Sequence, residues 1–478
     1  MAKTRSRLAV EAGVGYTIGN ILIKGISFIS IPIFARLLTV SDYGIYNTFS
    51  AYVSILGIII SFALHTSIKN AKIDFPTKID EYSASITIPI IINAIFLTII
   101  SIGVSLLFPS VLKIDPPVII ILIVVESFSM AMINFYNSVL SVNYRYKEYL
   151  ILSLTYSLAG ILISIVLCLS IFNTTRYLGR ILGTLISAFV LAIIILYRIF
   201  KLSKPKINYS YWKYAFKIGL PIIPHGLSQI VLSQFDRLMI NHLNDSSSAG
   251  LYSFAYNIAI IFQVVVTSLD TVWSQWFFDK MAENKVADIR KVSSIYCIIV
   301  SIGAIILMLV SPELIGILGG VKYNDSKSTA VIILLAMYFS FLYYFPASIE
   351  YFYKKTIFIG IGTVGAAILN VALNLIFIPH YGYIAAAYTT LACYLFYYVV
   401  HTIISYYIKK EFVYNMKLQF IMMIFTSFMT AVSVCFIHNM LVRYIVVIIV
   451  FTALGIIAYK NKNVIVDIIG KIKTRKSS

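Results

Sequence analysis

The chain has 478 residues, 60% of them hydrophobic and 12% charged, with a mean hydropathy of +0.91. Soluble globular proteins carry about 25% charged residues, so half that share over the whole length excludes a large soluble domain and indicates a polytopic membrane protein. The net charge of +19 does not signal nucleic acid, because the basic residues are scattered among short loops rather than gathered in one domain.

Apolar runs such as "IPIIINAIFLTIISIGVSLLF" are continuous for about 20 residues, the length a spanning helix needs. They lack the alternation of a barrel strand. Fourteen helices are predicted in chain order. The first six cover Ala12–Leu38, Tyr43–Ile68, Ala84–Phe108, Val118–Val142, Tyr149–Phe172 and Gly179–Phe200. The next six cover Ala215–Leu243, Leu251–Phe277, Ser293–Leu318, Ser328–Phe352, Thr356–Ile378 and Tyr383–Tyr407. Two more follow at Leu418–Ile437 and Leu441–Tyr459. The start, "MAKTRSRLAVEAG", is basic and lacks a small-residue cleavage site, so no cleaved signal peptide is expected.

Charge tests the count. With the N-terminus in the cytoplasm and strict alternation, inner segments hold 29 of the 38 Lys and Arg. The outer side holds eight: Arg36, Lys113, Arg176, Arg180, Arg237, Lys322, Lys327 and Arg443. That asymmetry fits the positive-inside rule and places both termini in the cytoplasm.

The chain also repeats. "LLTVSDYGIYN" matches "LNDSSSAGLYS" with Gly44-Ile45-Tyr46 on Gly250-Leu251-Tyr252, an offset of 206, and "YLGRILGTLIS" matches "YGYIAAAYTTL" at 203. Two parallel six-helix lobes are expected, as in some transporters: residues 1–200 and 215–408. A basic linker spans 201–214, and residues 409–478 form two appended helices and a basic tail.

Several helices carry polar stripes at the spacing of one face. Thr17, Asn20, Lys24 and Ser27 mark the first helix, and Asn47, Ser50, Ser54, Gly57 and Ser61 the second. His225, Ser228, Gln229 and Asp236 mark the seventh, and Tyr256, Gln263, Thr267, Asp270 and Ser274 the eighth. By the repeat, these are two matched pairs of helices. Small polar residues also hold membrane helices together, which suffices for the serines. A mid-helix lysine costs roughly 2.5–3.5 kcal/mol on insertion scales, so Lys24 must face a partner or water. A water-filled cleft with a fixed cation is expected. Glu126 is either half of a buried pair, with Lys24 one choice of partner, or a proton or cation site. Asp270 shares the ion-coupling option. Arg36 and Arg237 sit near helix ends, where interfacial anchoring competes with binding.

No metal spacing, phosphate loop or nucleophile elbow occurs, and the four cysteines and six histidines are isolated from one another. No cofactor, metal or catalytic residue is expected, and the chain is not expected to be an enzyme.

The stretch "NVALNLIFIPHYGYIAAAYTT" resembles the signature of the polysaccharide-repeat-unit flippases through Asn370, Asn374, Ile378, Pro379, Tyr381, Gly382, Ala386 and Ala387. Ala385 stands where that pattern usually has Gly. "LLTVSDYGIYN" and "SQFDRLMINHLNDSSSAGLYSFAY" are similar to its matching outer segments. The resemblance implies an all-α transporter of the multidrug/oligosaccharidyl-lipid/polysaccharide exporter superfamily. It implies that undecaprenyl-diphosphate-linked oligosaccharide crosses the bacterial plasma membrane by alternating access, for surface polysaccharides such as capsule, O-antigen or exopolysaccharide. Its cationic cavity would be lined by helices 1, 2, 7 and 8. Lys24, Arg36 and Arg237 would then meet the diphosphate, and Asn20, His225, Gln229 and Gln263 the sugars. The expected partners are the lipid-linked substrate, membrane lipids, a proton or sodium ion, and polymerase and assembly proteins. The expected state is a monomer. A peptidoglycan-precursor flippase and a cation-coupled multidrug exporter share this architecture. A membrane polymerase would need a larger outer segment.

Overall fold

A computed structural model describes residues 2–107 and 118–460. Lys113 and the basic tail from 461 lie outside the described residues. All regular structure among the described residues is helical, and thirteen helices are long and apolar enough to cross a membrane. They are α1 (Ala2–Leu37), α2 (Val40–Ser61), α3 (Ile79–Leu107), α4 (Val118–Val142), α5 (Tyr146–Leu169), α6 (Arg176–Leu202) and α7 (Tyr209–Leu243). The rest are α8 (Ser246–Ala282), α9 (Val286–Gly319), α10 (Lys327–Phe352), α11 (Thr356–Tyr381), α12 (Tyr383–Lys409) and α13 (Met416–Cys435). The fourteenth predicted helix is present as α14 (Met440–Lys460), with Met440–Val450 as its shorter apolar stretch.

Local chemistry explains where the observed ends depart from the predicted ones. Only Leu38 and Thr39 separate α1 from α2, because "TVSD" forms a capping box. Thr39 Oγ1 accepts from the Asp42 N–H at 3.0 Å, and the Asp42 carboxylate accepts from the Thr39 N–H at 3.2 Å. Asp245 starts α8 in the related way, accepting from the Ser248 N–H at 2.8 Å. α2 stops at Ser61, short of the predicted Ile68, because Phe62 and Ala63 both turn to positive φ. A 3-10 turn at Leu64–Ser67 and a short helix, Ile68–Asp74, follow. α7 starts before its predicted Ala215 and is not one regular rod. Pro221 and Pro224 remove backbone donors, a 3-10 turn occupies Leu220–Ile222, and a π-helical segment occupies Val231–Phe235.

The chain groups into two compact units: Met1–Asn257 with Leu318–Tyr323 and Thr356–Cys393, and Ile258–Ile317 with Asn324–Lys355 and Tyr394–Ser478. The division falls inside α8, α9 and α12. The first unit is built around a core that includes Tyr82, Phe135, Tyr136, Leu140 and Ile195. In the second, a smaller cluster of Ile305, Leu309, Met429, Val447 and Val450 joins α9 to α13 and α14. Large apolar side chains such as Ile99, Leu162, Ile193, Ile361 and Ile368 remain exposed, as expected where the solvent is hydrocarbon.

α14 is fastened by charge as well as packing. Arg443 is 2% exposed and makes a two-pronged pair with Glu313 of α9, at 2.7 and 2.5 Å. Its remaining donors reach the carbonyls of Leu309 and Phe436. Removing one partner leaves the other charge buried, at a cost of about 3–5 kcal/mol. Arg443→Ala is therefore expected to lower thermal stability in detergent strongly. Arg443→Met combined with Glu313→Leu should recover most of the loss, measured on the full-length protein.

Candidate functional site

α1 presents three sectors. Ala12, Gly15 and Gly19 are buried, and Cβ atoms at the two glycines would run into Tyr146 and Leu150 of α5. That face is therefore seated on α5. At about 100° per residue, Thr17, Asn20, Lys24 and Ser27 form a second sector, roughly a third of a turn away, and all four are exposed. Ile18, Ile21, Leu22 and Ile29 form a third and are also exposed, by 47–64%. The apolar sector suits lipid. The polar sector does not, and a lysine there needs water or an anion. Thr17 and Ser27 are satisfied by their own helix, donating to the Gly13 and Ile23 carbonyls at 2.9 Å. Asn20 Oδ1 accepts from the Tyr149 hydroxyl at 2.6 Å. No protein group among the described residues bonds to the Lys24 ammonium. Its donors are available.

Glu126 does not pair with Lys24. It is 6% exposed inside the first unit, where Thr184 Oγ1 donates to its Oε2 at 3.3 Å. Arg180, four residues before Thr184 on α6, is also buried. Its guanidinium lies 3.7 Å from the Phe34 ring and 4.6 Å from that of Tyr46. Its Nε has no partner. Sequence reasoning counted Arg180 only among the outer charges. What draws it inward is contact with α1 and α2, which no local pattern announces.

The second cluster centres on Asp236, 1% exposed and just past the π-helical segment of α7. Three helices donate to its carboxylate. Tyr252 of α8 does so at 2.5 Å, Asn374 of α11 at 2.7 Å and Thr390 of α12 at 2.7 Å. Asn374 also donates to Asn370 Oδ1 and accepts from Thr389. The paired asparagines of the signature stretch thus brace this acid. Gly382, at φ +71°, makes the sharp joint from α11 to α12 that brings Thr389 and Thr390 into place. Arg237, although next in sequence, has its own surroundings. It is 4% exposed, donates to the Ser233 carbonyl at 3.3 Å, and lies 4.7 Å from the Tyr256 ring. The repeat is visible here: Tyr46 and Tyr252, matched by sequence, each contact a buried charge of their own cluster.

The matched glycines meet directly. A Cβ on Gly44 would overlap the Ser246 carbonyl, and one on Gly250 would overlap the Val40 carbonyl. The offset of 206 maps Val40 onto Ser246 and Gly44 onto Gly250, so one contact is made twice about a pseudo-twofold axis. The backbones of α2 and α8 touch here, and only glycine permits it. Around the crossing, Asn257 donates to the Tyr43 hydroxyl at 2.6 Å, Phe254 stacks on Tyr323 at 4.1 Å, and Lys322 donates to the Leu38 carbonyl at 2.5 Å.

The remaining predicted residues are more dispersed. Arg36 is exposed at the end of α1, and Gln229 is exposed on α7. His225 is half-buried, with Nδ1 unpartnered. In the second unit, Gln263 donates to the Tyr344 hydroxyl at 3.4 Å, and Asp270 accepts from Ser274 at 3.3 Å.

A family described as polysaccharide biosynthesis protein matches residues 11–279. No curated protein matches the sequence. Among solved structures, the lipid II flippase MurJ in an inward closed conformation superposes with a TM-score of 0.71 at 14% identity, over 93% of this chain and 100% of that one. An inward-facing MATE multidrug resistance transporter of the MOP superfamily gives 0.61 at 15% identity, over 80% and 99%. A MOP superfamily transporter from Pyrococcus furiosus gives 0.52 at 15% identity, over 85% and 96%. The chain thus has the fold of these membrane transporters.

Because α2 and α8 cross on glycine, Gly250→Leu is expected to prise the two helices apart. Asn257→Cys in that background should react several times faster with a membrane-impermeant maleimide than Asn257→Cys alone. Equal rates would show that the glycine contact does not hold the crossing.

Proposed function

Because the chain belongs to the polysaccharide biosynthesis protein family, we propose that it is a flippase for undecaprenyl-diphosphate-linked oligosaccharide repeat units. It works by alternating access in the bacterial plasma membrane, with both termini in the cytoplasm, and supplies surface polysaccharide synthesis. The observation that carries this reading is the unpartnered Lys24 ammonium on a polar sector of α1, bordered by an apolar one.

The chemistry follows from the substrate. A lipid diphosphate is a compact dianion that must leave the headgroup layer. Two unit charges about 4 Å apart attract by roughly 4 kcal/mol at an effective dielectric of about 20. Diphosphate and ammonium each offset the other's desolvation. The polyprenyl tail stays in lipid beside the apolar sector of α1. Asn20, Gln229, His225 and Gln263 supply hydrogen bonds for sugar hydroxyls. Arg36 joins Lys24 at the phosphates. Arg237 reaches them only when its contact with Tyr256 opens, so it acts at a later stage than Lys24. Glu126 and Asp270 are the carboxylates of this reading that bind a coupling ion. The likeness to a lipid II flippase favours lipid-diphosphate cargo over a cationic drug, and a lysine in the cleft disfavours cationic cargo.

In cells depleted of the wild-type protein, Lys24→Ala and Lys24→Met are expected to abolish flipping of lipid-linked oligosaccharide at normal membrane abundance. Lys24→Arg should retain part of it, because the charge persists while its geometry changes. Normal transport by the Ala and Met variants would remove Lys24 from substrate recognition.

A further inference from the structure

The transport reading leaves one buried ionisable pair unused. Glu350, near the end of α10, and His401 of α12 are both 0% exposed, and His401 Nδ1 lies 2.6 Å from Glu350 Oε1. Both belong to the second unit. The other two polar atoms of the pair, Glu350 Oε2 and His401 Nε2, are buried with no partner. No tautomer cures this. If the shared proton sits on either side of the 2.6 Å contact, Nε2 is an unmet donor or an unmet acceptor, and Oε2 is an unmet acceptor.

A pair that merely stapled two helices would be cheaper with every atom satisfied. Unsatisfied atoms on both members instead leave a place where one more proton can bind without displacing a protein group. The surroundings suit that role. Among the described residues, the ionisable group bonded to Glu350 is His401. The titratable groups facing the pair are tyrosines: Tyr343 and Tyr351 from α10, and Tyr397 from α12. The Tyr343 and Tyr397 rings stack on each other at 4.1 Å and meet the His401 ring at 4.9 and 4.5 Å.

These tyrosines lead to the polar face of α8. Tyr344 adjoins Tyr343 and accepts from Gln263 at 3.4 Å. Tyr351 lies in the field of both Glu350 and Asp270. One file of phenols thus runs from the buried pair to the stripe that carries Gln263, Thr267 and Asp270.

We propose that Glu350 and His401 form a proton-binding site that couples transport to a proton. This rests on the transport reading above. One proton arrives from water and forms an O–H bond at the Glu350 carboxylate, with His401 holding the shared proton. The same proton leaves when the transporter changes state, so one enters and one exits per cycle. The phenols transmit the change of charge to the polar stripe of α8, at Gln263 and Asp270.

Two measurements on the full-length protein in liposomes test this. The first needs no substrate: the carboxyl stretch in infrared difference spectra, followed as pH is varied. The wild type is expected to show a titrating carboxyl band that is absent in Glu350→Gln and shifted in His401→Gln. The second is flipping of lipid-linked oligosaccharide. Wild-type flipping should change about fivefold or more as pH moves across about 5 to 8. Glu350→Gln should flip at a rate that no longer follows pH. Identical infrared titrations in wild type and Glu350→Gln, or an unchanged pH profile of flipping in that variant, would overturn the proposal. If Glu350→Gln does not accumulate, His401→Gln decides by the same two readouts. If the wild type moves no lipid-linked oligosaccharide, the transport reading fails, and the infrared titration still decides the proton site.

Discussion

A charge inside a membrane must have a partner or water, and that constraint sorts the ionisable residues of this chain. Arg443 takes Glu313 and two carbonyls, that of Leu309 in α9 and that of Phe436 just before α14. Asp236 takes donors from three helices. Glu126 takes Thr184, with Arg180 nearby against Phe34 and Tyr46. Each of these solutions ties helices together, and each leaves the charge out of reach of cargo. Lys24 has the opposite solution. Its helix is seated on α5 by Gly15 and Gly19, and Asn20 of the polar sector reaches Tyr149 there while Lys24 bonds to no described protein group. What remains for its ammonium is water or an anion. A structure that spends its acids on internal bonds and keeps a cation open is suited to a lipid-linked anion.

The repeat adds a second layer. Two tyrosines 206 residues apart, Tyr46 and Tyr252, each touch a buried charge in their own cluster. Two glycines, Gly44 and Gly250, let the backbones of α2 and α8 meet. The two halves are therefore alike where α2 and α8 cross and unlike in the charge that their matched tyrosines meet. The first half buries a base beside Tyr46, and the second buries an acid beneath Tyr252.

The helices and the stripe on α1 were legible in the sequence because both are local patterns. Apolar length reports a span, and three-four spacing reports a face. The capping box "TVSD" was also on the surface of the sequence, although its effect, a joint of only two residues between α1 and α2, was not. Breaks in α7 could have been anticipated from Pro221 and Pro224, whereas the π-helical segment had no clear signal. What stayed hidden was non-local. Nothing in "ESFSM" points to Thr184, and nothing beside Asp236 points to Thr390, 154 residues on. The asparagines of the signature were recognised by resemblance, but their work in bracing Asp236 appears only when α7 and α11 are side by side. His401 looked like an isolated packing histidine because its acid lies 51 residues away.

The account depends most on the charge at position 24, and that charge can be removed and restored chemically. With Cys435, the exposed native cysteine, replaced by Ser, Lys24→Cys would be treated with an aminoethyl thiosulfonate, which rebuilds a primary ammonium of nearly lysine length. A sulfonatoethyl reagent would serve as the anionic control. Flipping of lipid-linked oligosaccharide would be measured before and after each treatment. The account predicts an inactive Cys variant, recovery with the ammonium and none with the sulfonate. Equal activity in all three states would contradict it.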